Sequence, residues 1–412
     1  MTNVLMKEGL FTNLPEDITR DILRRLPIRS IARCKCVCKS WRQFATSKSG
    51  LVFANEDTGF TFCDEVFQPL CQFRLPLCRG YSYRYVIGSA DGFILVCAAG
   101  KNICEILCLC NPITREYIEL PALPGAYVFN YVYGFGVSKL SGQYKILFSS
   151  HRSCFVYTLG KIEYWRRISV APGNPCMHRD KAVFFNGNLH WLTSDSSNLF
   201  VCCLDLETEL FTRYSIPSRD YGSHGYDTYI GTRYYLYVLE GRLCLSKYIS
   251  PHGIVIWRME NYGDENSWIK EYTLENFCGH FYPLVSLNGD LIFASIIRHD
   301  RQLLVYSKNT EPLVTYRRYP YSRLYSSVNI YTPSFISLET MGIHNVQILK
   351  NNVGVALVKV PEMIGDLKEK NWLAAGVSTI ATVFVAAGWL AVGFSTIATC
   401  TNNDSSAFSI LY

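Results

Sequence analysis

Ala90-Asp91-Gly92-Phe93-Ile94-Leu95-Val96 is the phrase on which the fold of this chain is read. It places an apolar residue before an Asp-Gly pair and an apolar run after it. The phrase returns as Phe185-Asn186-Gly187-Asn188-Leu189-His190-Trp191-Leu192, as Leu239-Glu240-Gly241-Arg242-Leu243-Cys244-Leu245 and as Leu287-Asn288-Gly289-Asp290-Leu291-Ile292-Phe293. Asp-Gly and Asn-Gly between apolar runs favour the two-residue type I′ hairpin turn, whose two central residues both need positive φ. The four glycines stand 95, 54 and 48 residues apart, so the first gap is about two units of the others.

A second phrase begins 15 to 17 residues after each glycine, with an apolar strand, a polar turn and an aromatic strand. It reads Leu109-Cys110-Asn111-Pro112-Ile113-Thr114-Arg115-Glu116-Tyr117, then Leu204-Asp205-Leu206-Glu207-Thr208-Glu209-Leu210-Phe211. It continues as Ile256-Trp257-Arg258-Met259 running on to Ser267-Trp268, and as Val305-Tyr306-Ser307-Lys308-Asn309-Thr310. Val156-Tyr157-Thr158-Leu159-Gly160 with Tyr164-Trp165-Arg166 supplies a fifth inside the long gap. Two hairpins per 40 to 50 residues make a four-stranded blade, and blades set radially make a β-propeller. About six such units fit, or seven with a composite closing blade. An irregular β-sandwich is the alternative, because it too spaces its strands evenly.

Residues 14–46 read differently. Pro15 opens a helix where its missing N–H costs nothing. Ile18, Ile22 and Leu26 recur at i, i+4 and i+8 and so share one face. Pro27 ends that helix, because a proline disfavours α geometry in the residue before it. A second short helix carries Ile31, and a third runs through Val37 and Trp41. Three short helices cannot enclose a core of their own, so their apolar faces need a partner. An ordinary helical cap on the next domain is the competing reading.

The order of these signals resembles the F-box, the adaptor-binding motif of ubiquitin-ligase substrate receptors. It has one Leu-Pro before the first helix, a second closing it, a basic Cys/Val segment, and then Lys39-Ser40-Trp41. The resemblance implies that Leu14, Pro15, Ile22, Leu26, Pro27 and Ile28 face a Skp-type adaptor, which links to a cullin scaffold. By the same resemblance Val37 and Trp41 pack the motif. Ile28 stands where leucine is commoner, which keeps the apolar character. The later phrases resemble the plant F-box-associated domain, a kelch-like propeller, across most of residues 80–340. The segments that carry this likeness include Asn111–Tyr117, Tyr133-Gly134-Phe135-Gly136, Asn186–Trp191 and Ser267-Trp268. The expected fold class is therefore mainly β. It comprises a short three-helix F-box over residues 10–50, a propeller of about six or seven blades over 75–360, and an apolar C-terminal helix over 371–403.

The chain has 412 residues and a formal net charge of +6. Residues 14–50 hold nine Lys/Arg and three Asp/Glu, so the remainder sums to zero. The basic residues alternate with helix positions expected to be buried, and no nucleic-acid motif accompanies them. A solvated basic face, or one complementary to an acidic adaptor, fits better than nucleic acid. None of the 17 cysteines forms Cys-x-x-Cys, which argues for small buried hydrophobes rather than zinc ligands. The first 13 residues hold no signal-peptide core, which points to cytoplasm or nucleus.

No enzyme signature occurs: there is no Gly-x-Ser-x-Gly, no His-Glu-x-x-His and no phosphate-binding Gly-rich loop. The expectation is a non-catalytic receptor without cofactor or metal, whose propeller selects a target protein. A propeller enzyme or glycan-binding module with a helical appendage is the alternative. Tyr133-Gly134-Phe135-Gly136 reads as a strand turn, and His190 as a packing histidine. Arg and Tyr are enriched at binding hot spots. That nominates Arg317, Arg318, Tyr319, Tyr321, Arg323 and Tyr325 for target binding, with the Gly- and aromatic-rich stretch 219–227 as a weaker candidate.

Residues 371–403 carry no charge. Trp372–Thr382 recurs as Trp389–Thr399 with nine of eleven positions identical, a tandem duplication. The run from Trp372 to Cys400 exceeds the roughly 20 apolar residues that span a bilayer. It is a candidate transmembrane helix that would tail-anchor the chain facing the cytosol, with membrane contact through residues 372–400. An appended apolar helix or a misread frame is the other reading.

Overall fold

The computed structural model describes residues 49–349 apart from short internal stretches, the longest of them 218–231. The F-box segment, the tail 371–403 and most of the Arg/Tyr stretch lie outside the described residues.

The described residues form six sheets of four or five strands, antiparallel except where Asp180–Lys181 pairs parallel with Tyr131–Val137. Blade I runs from Tyr83–Ala90 to Glu116–Glu119, blade II from Tyr131–Val137 to Arg166–Ile168, and blade III from Asn174–Pro175 to Phe211–Ser215. Blade IV runs from Thr232–Leu239 to Trp268–Glu275, and blade V from His280–Leu287 to Thr315–Arg317. Blade VI is composite: Leu324–Tyr331 pairs with Gly50–Asn55, which is followed by Gly59–Cys63 and Pro69–Phe73. The innermost strands touch in turn, from Tyr83–Ala90 through Tyr131–Val137, Val183–Phe185, Thr232–Leu239 and His280–Leu287 to Leu324–Tyr331, which meets Tyr83–Ala90 again. The sheets thus form a closed ring, a β-propeller. The composite sheet is one of the six, and no seventh is found among the described residues.

Three strands, Gly50–Asn55, Gly59–Cys63 and Pro69–Phe73, precede the expected start at residue 75. They were illegible as blade strands because their sheet has no Asp-Gly turn. No turn joins its two inner strands, because Leu324–Tyr331 and Gly50–Asn55 come from opposite ends of the ring's sequence. Three of the four repeated turns adopt the expected backbone, and the fourth, Asn288-Gly289, lies outside the described residues. Asp91 and Gly92 have φ of 46° and 87°, Asn186 and Gly187 52° and 80°, Glu240 and Gly241 49° and 70°. A Cβ on Gly92 would also come within 2.6 Å of the Ser334 nitrogen.

Tyr133-Gly134-Phe135-Gly136 is not a turn but the interior of the strand Tyr131–Val137. Its glycines are small because blade III packs onto them. A Cβ at Gly134 would lie 2.7 Å from Leu189, and one at Gly136 would collide with Phe184. The largest core clusters lie between blades, while Tyr237, Leu239, Cys244, Ile254 and Ile256 form a cluster within blade IV. Phe93, Leu95, Tyr133, Phe135 and Ile146 join blades I and II, and Phe60, Phe62, Ile94, Val96 and Tyr331 join blades VI and I. Each such side chain contributes roughly 1.5–3 kcal/mol of burial. No helix among the described residues is long and apolar enough to cross a membrane.

Candidate functional site

Strand direction gives the ring two distinct ends. At the hairpin end lie the turns 91–92, 138–143, 186–187 and 240–241. Both ends of the described chain's closing strands lie there too: the Tyr331 hydroxyl donates to the Gly92 carbonyl at 3.1 Å, and the Ser49 and Thr332 hydroxyls are 2.7 Å apart. At the opposite end lie the connections between blades. Thr315–Arg317 finishes at that end and Leu324–Tyr331 starts there, which locates the backbones of Arg317 and Tyr325. Arg318, Tyr319, Tyr321 and Arg323 lie outside the described residues, as do Leu14, Pro15, Ile22, Leu26, Pro27, Ile28, Val37, Trp41 and the stretch 219–227.

The second repeated phrase proves to be a clasp. Asn111 is fully buried. Its Nδ2 donates to the Ser334 and Ile336 carbonyls at 3.0 and 2.9 Å, while its Oδ1 accepts from the Ile113 N–H at 2.9 Å. Arg115 takes φ 67°, donates from its guanidinium to the Leu349 carbonyl at 2.9 Å, and accepts from the Leu349 N–H at 2.7 Å. The Glu116 carboxylate accepts from the Ser337 hydroxyl at 2.7 Å and the Leu338 N–H at 2.6 Å. The Tyr117 hydroxyl reaches Gln347 Oε1 at 2.6 Å. Four side chains of one heptad therefore hold the stretch 334–349 against blade I.

The same turn in blade III faces its neighbour instead. Asp205 Oδ1 accepts from the Glu207 and Thr208 N–H groups at 2.7 and 2.9 Å, and Glu209 takes φ 59°. Glu207 accepts from the Ser138 hydroxyl and from the Ser141 N–H and hydroxyl, both at 3.0 Å. The Ser138 hydroxyl and the Ser141 backbone hold that carboxyl down at about 2. Glu209 binds Lys145 at 2.8 Å and Arg166 at 2.5 Å. Burial works against its charge, and these two cations outweigh it, leaving the carboxyl below its usual range.

His190 is fully buried between blades III and IV. Its Nδ1 lies 3.2 Å from the Val183 carbonyl and its Nε2 2.9 Å from the Tyr262 hydroxyl. A carbonyl only accepts, so Nδ1 carries the proton and Nε2 accepts from the tyrosine. Asn188 Nδ2 donates to the same hydroxyl at 2.6 Å, and Cys203 Sγ sits 3.4 Å from Nε2. This contact is not a nucleophilic dyad. A reactive cysteine needs a lowered thiol pKa and access. Here burial raises Cys203 and lowers His190 to about 4. The packing role expected from sequence holds, and Cys203 and Tyr262 are the partners that sequence did not pair with it. Cys154 and Cys244 are likewise buried thiols, pushed up to about 12 by desolvation.

This histidine makes the fold acid-sensitive with a defined sign. Its folded pKa lies near 4, below the ordinary 6.5, so the stabilisation is complete above pH 6.5 and is lost as pH falls toward 4. The loss from this one group is roughly 3 kcal/mol at the acid limit. Denaturant midpoints of the wild type should fall between pH 7 and pH 4.5. His190→Gln should be less stable at pH 7 and show a visibly smaller fall. An equal fall in both proteins would remove His190 as the cause.

Lys181 enters the ring on a short strand parallel to Tyr131–Val137 and reaches Asn329 Oδ1 at 3.3 Å. Asn329 in turn donates to the Val86 carbonyl at 3.0 Å. At the opposite end Glu105 accepts from the Tyr131 and Tyr133 hydroxyls at 2.5 and 2.8 Å. Among the described residues no cluster of three or more His, Cys, Asp or Glu could hold a metal ion.

Residues 54–317 match the family described as F-box associated beta propeller domain. The chain belongs to that family. Residues 11–52 match the F-box domain, which spans all eight residues assigned to adaptor binding and F-box packing from sequence. F-box protein At3g07870 of Arabidopsis thaliana is 29% identical over 320 residues, covering 65% of this chain and 74% of that protein. F-box protein At5g49610 of the same plant is 26% identical over 337 residues, covering 72% and 89%. Among solved structures, TolB from Acinetobacter baumannii is similar with a TM-score of 0.43 and 11% identity, covering 73% of this chain and 71% of that one. So the F-box protein has its F-box and its propeller in immediate succession.

Proposed function

We propose that this F-box protein is the substrate-recognition subunit of an SCF-type ubiquitin ligase. The F-box binds a Skp-type adaptor and, through it, a cullin scaffold, while the propeller selects a target protein. The observation that carries this reading is the succession of an F-box match over 11–52 and a propeller match over 54–317 in one chain. In this reading ubiquitin transfer belongs to other subunits, and the buried environments of His190 and Cys203 fit a chain that performs no chemistry of its own. Target selection belongs to the end of the ring where Arg317 and Tyr325 lie, away from the junction with the F-box. Rigid scaffolds commonly display recognition residues on such connections. Affinity capture of the tagged full-length chain should recover a Skp-type adaptor together with a cullin. Recovery of neither, from cells that express both, would overturn the ligase reading.

A further inference from the structure

We infer that the tip of blade II is an anion-recognition site, built from Arg152 and Arg167, for an acidic segment of the target protein. It rests on the proposal that this end of the ring selects the target. Charge singles out the blade. Outside residues 14–50 the chain sums to zero, yet residues 131–168 hold six Lys/Arg and one Asp/Glu. Lys145 and Arg166 are paired with Glu209 of blade III. Arg213, Arg242 and Arg258 of blades III and IV each grip a carboxylate. Lys139, Arg152, Lys161 and Arg167 are exposed and meet no carboxylate among the described residues.

Of these four, the two arginines lie at the end of the ring away from the F-box junction, on a turn that is fastened in place. Residues 150–153 join Tyr144–Ser150 to Cys154–Thr158 there. The Ser150 N–H donates to the Ser153 carbonyl at 2.8 Å. The buried Ser150 hydroxyl accepts from the Arg152 and Ser153 N–H groups at 3.3 and 3.2 Å. Arg152 Nε donates to His151 Nε2 at 2.9 Å, which leaves both terminal nitrogens of its guanidinium without a bond among the described residues. Arg167, on the outer strand Arg166–Ile168, reaches across to the Arg152 carbonyl at 3.5 Å. Two guanidinium groups thus share one hairpin with no countercharge. Like charges kept together repel, and a bound anion relieves that repulsion. A guanidinium fork takes the paired oxygens of a carboxylate or phosphate, and side chains held in advance lose little freedom on binding. An acidic segment is the complementary partner. Nucleic acid fits less well, because it is bound along a track of many phosphates and this tip offers two cations.

Binding of the full-length chain to pools of short randomised peptides tests this. The centre of each pool is fixed as Glu-Glu, as phosphoserine or as neutral Gln-Gln. Wild type should retain at least one anionic pool about fivefold better than the neutral pool, and the two anionic arms tell which anion is read. Arg152→Glu/Arg167→Glu should abolish that preference, and Arg152→Gln/Arg167→Gln decides the matter if the first variant fails to fold. Lys139→Glu/Lys161→Glu makes the same charge change at the other end of the ring and should leave the preference in place. No preference in wild type overturns the inference, as does a preference that survives the arginine substitutions. Equal loss in the arginine and lysine variants also overturns it, by making the effect one of overall charge. Tighter retention of a single-stranded RNA than of either anionic pool overturns it too, and gives the arginines to nucleic acid. Capture of adaptor and cullin is measured alongside. Successful capture without any peptide preference sinks the anion site and leaves the ligase reading standing, whereas failed capture with the preference intact does the reverse.

Discussion

Replacing Asn111 with alanine should destabilise the full-length chain by about 3 kcal/mol. The side chain is fully buried and makes two donor bonds to the Ser334 and Ile336 carbonyls and one acceptor bond from the Ile113 N–H. Alanine would strand those groups away from water, and each unsatisfied buried group costs about 1–3 kcal/mol. Asn111→Asp separates the two duties of the residue. Asp205 in blade III shows that a carboxylate serves the turn, since it accepts from the Glu207 and Thr208 N–H groups. At position 111, however, a carboxylate would point at two carbonyl oxygens, so Asn111→Asp should be at least as damaging as alanine. Guanidinium denaturation measures both. Protease cleavage within 334–349 should accelerate in step with the lost stability. A change below about 1 kcal/mol for both variants would show that the clasp contributes little to holding the ring.

Replacing Pro15 and Leu26 together with alanine should weaken binding to a Skp-type adaptor at least about tenfold, because burying one such apolar side chain is worth roughly 1.5–3 kcal/mol. Both residues fall within the F-box match and precede the first strand of the ring. The cooperative melt of the propeller should therefore persist in the variant. Titration with purified adaptor gives the answer. Equal affinity for wild type and double variant would refute the assignment of the Leu-Pro pairs to the adaptor surface.

Local signals were legible in the sequence, and distant ones were not. Asp91-Gly92, Asn186-Gly187 and Glu240-Gly241 announce hairpins because positive φ at both turn residues is a demand that neighbours in sequence must meet. The F-box match is legible for the same reason, since its two Leu-Pro pairs, at 14–15 and 26–27, lie close together in sequence. Asn111 also sits in a conspicuous phrase, but its partners Ser334 and Ile336 lie more than two hundred residues away. Nothing at position 111 says which segment it will hold. Gly134 and Gly136 misled in the opposite sense. Glycine in an aromatic run looks like a bend, whereas here it makes room for Leu189 and Phe184 of the next blade. The strands Gly50–Asn55, Gly59–Cys63 and Pro69–Phe73 escaped because their blade closes with Leu324–Tyr331 from the far side of the chain.

That closure also sets an order of events during synthesis. Gly50–Asn55 leaves the ribosome early, carrying Leu51, Val52 and Phe53, all destined for burial. Its inner partner, Leu324–Tyr331, follows only after some 270 further residues, roughly 15–55 s at ordinary translation speeds. Throughout that interval the strand offers an unpaired apolar edge, the kind that recruits foreign strands. A growing polypeptide of this design therefore depends on chaperones or on its own N-terminal segment for cover until the ring can shut, and truncated products ending before residue 324 should accumulate as aggregates rather than as smaller folded proteins.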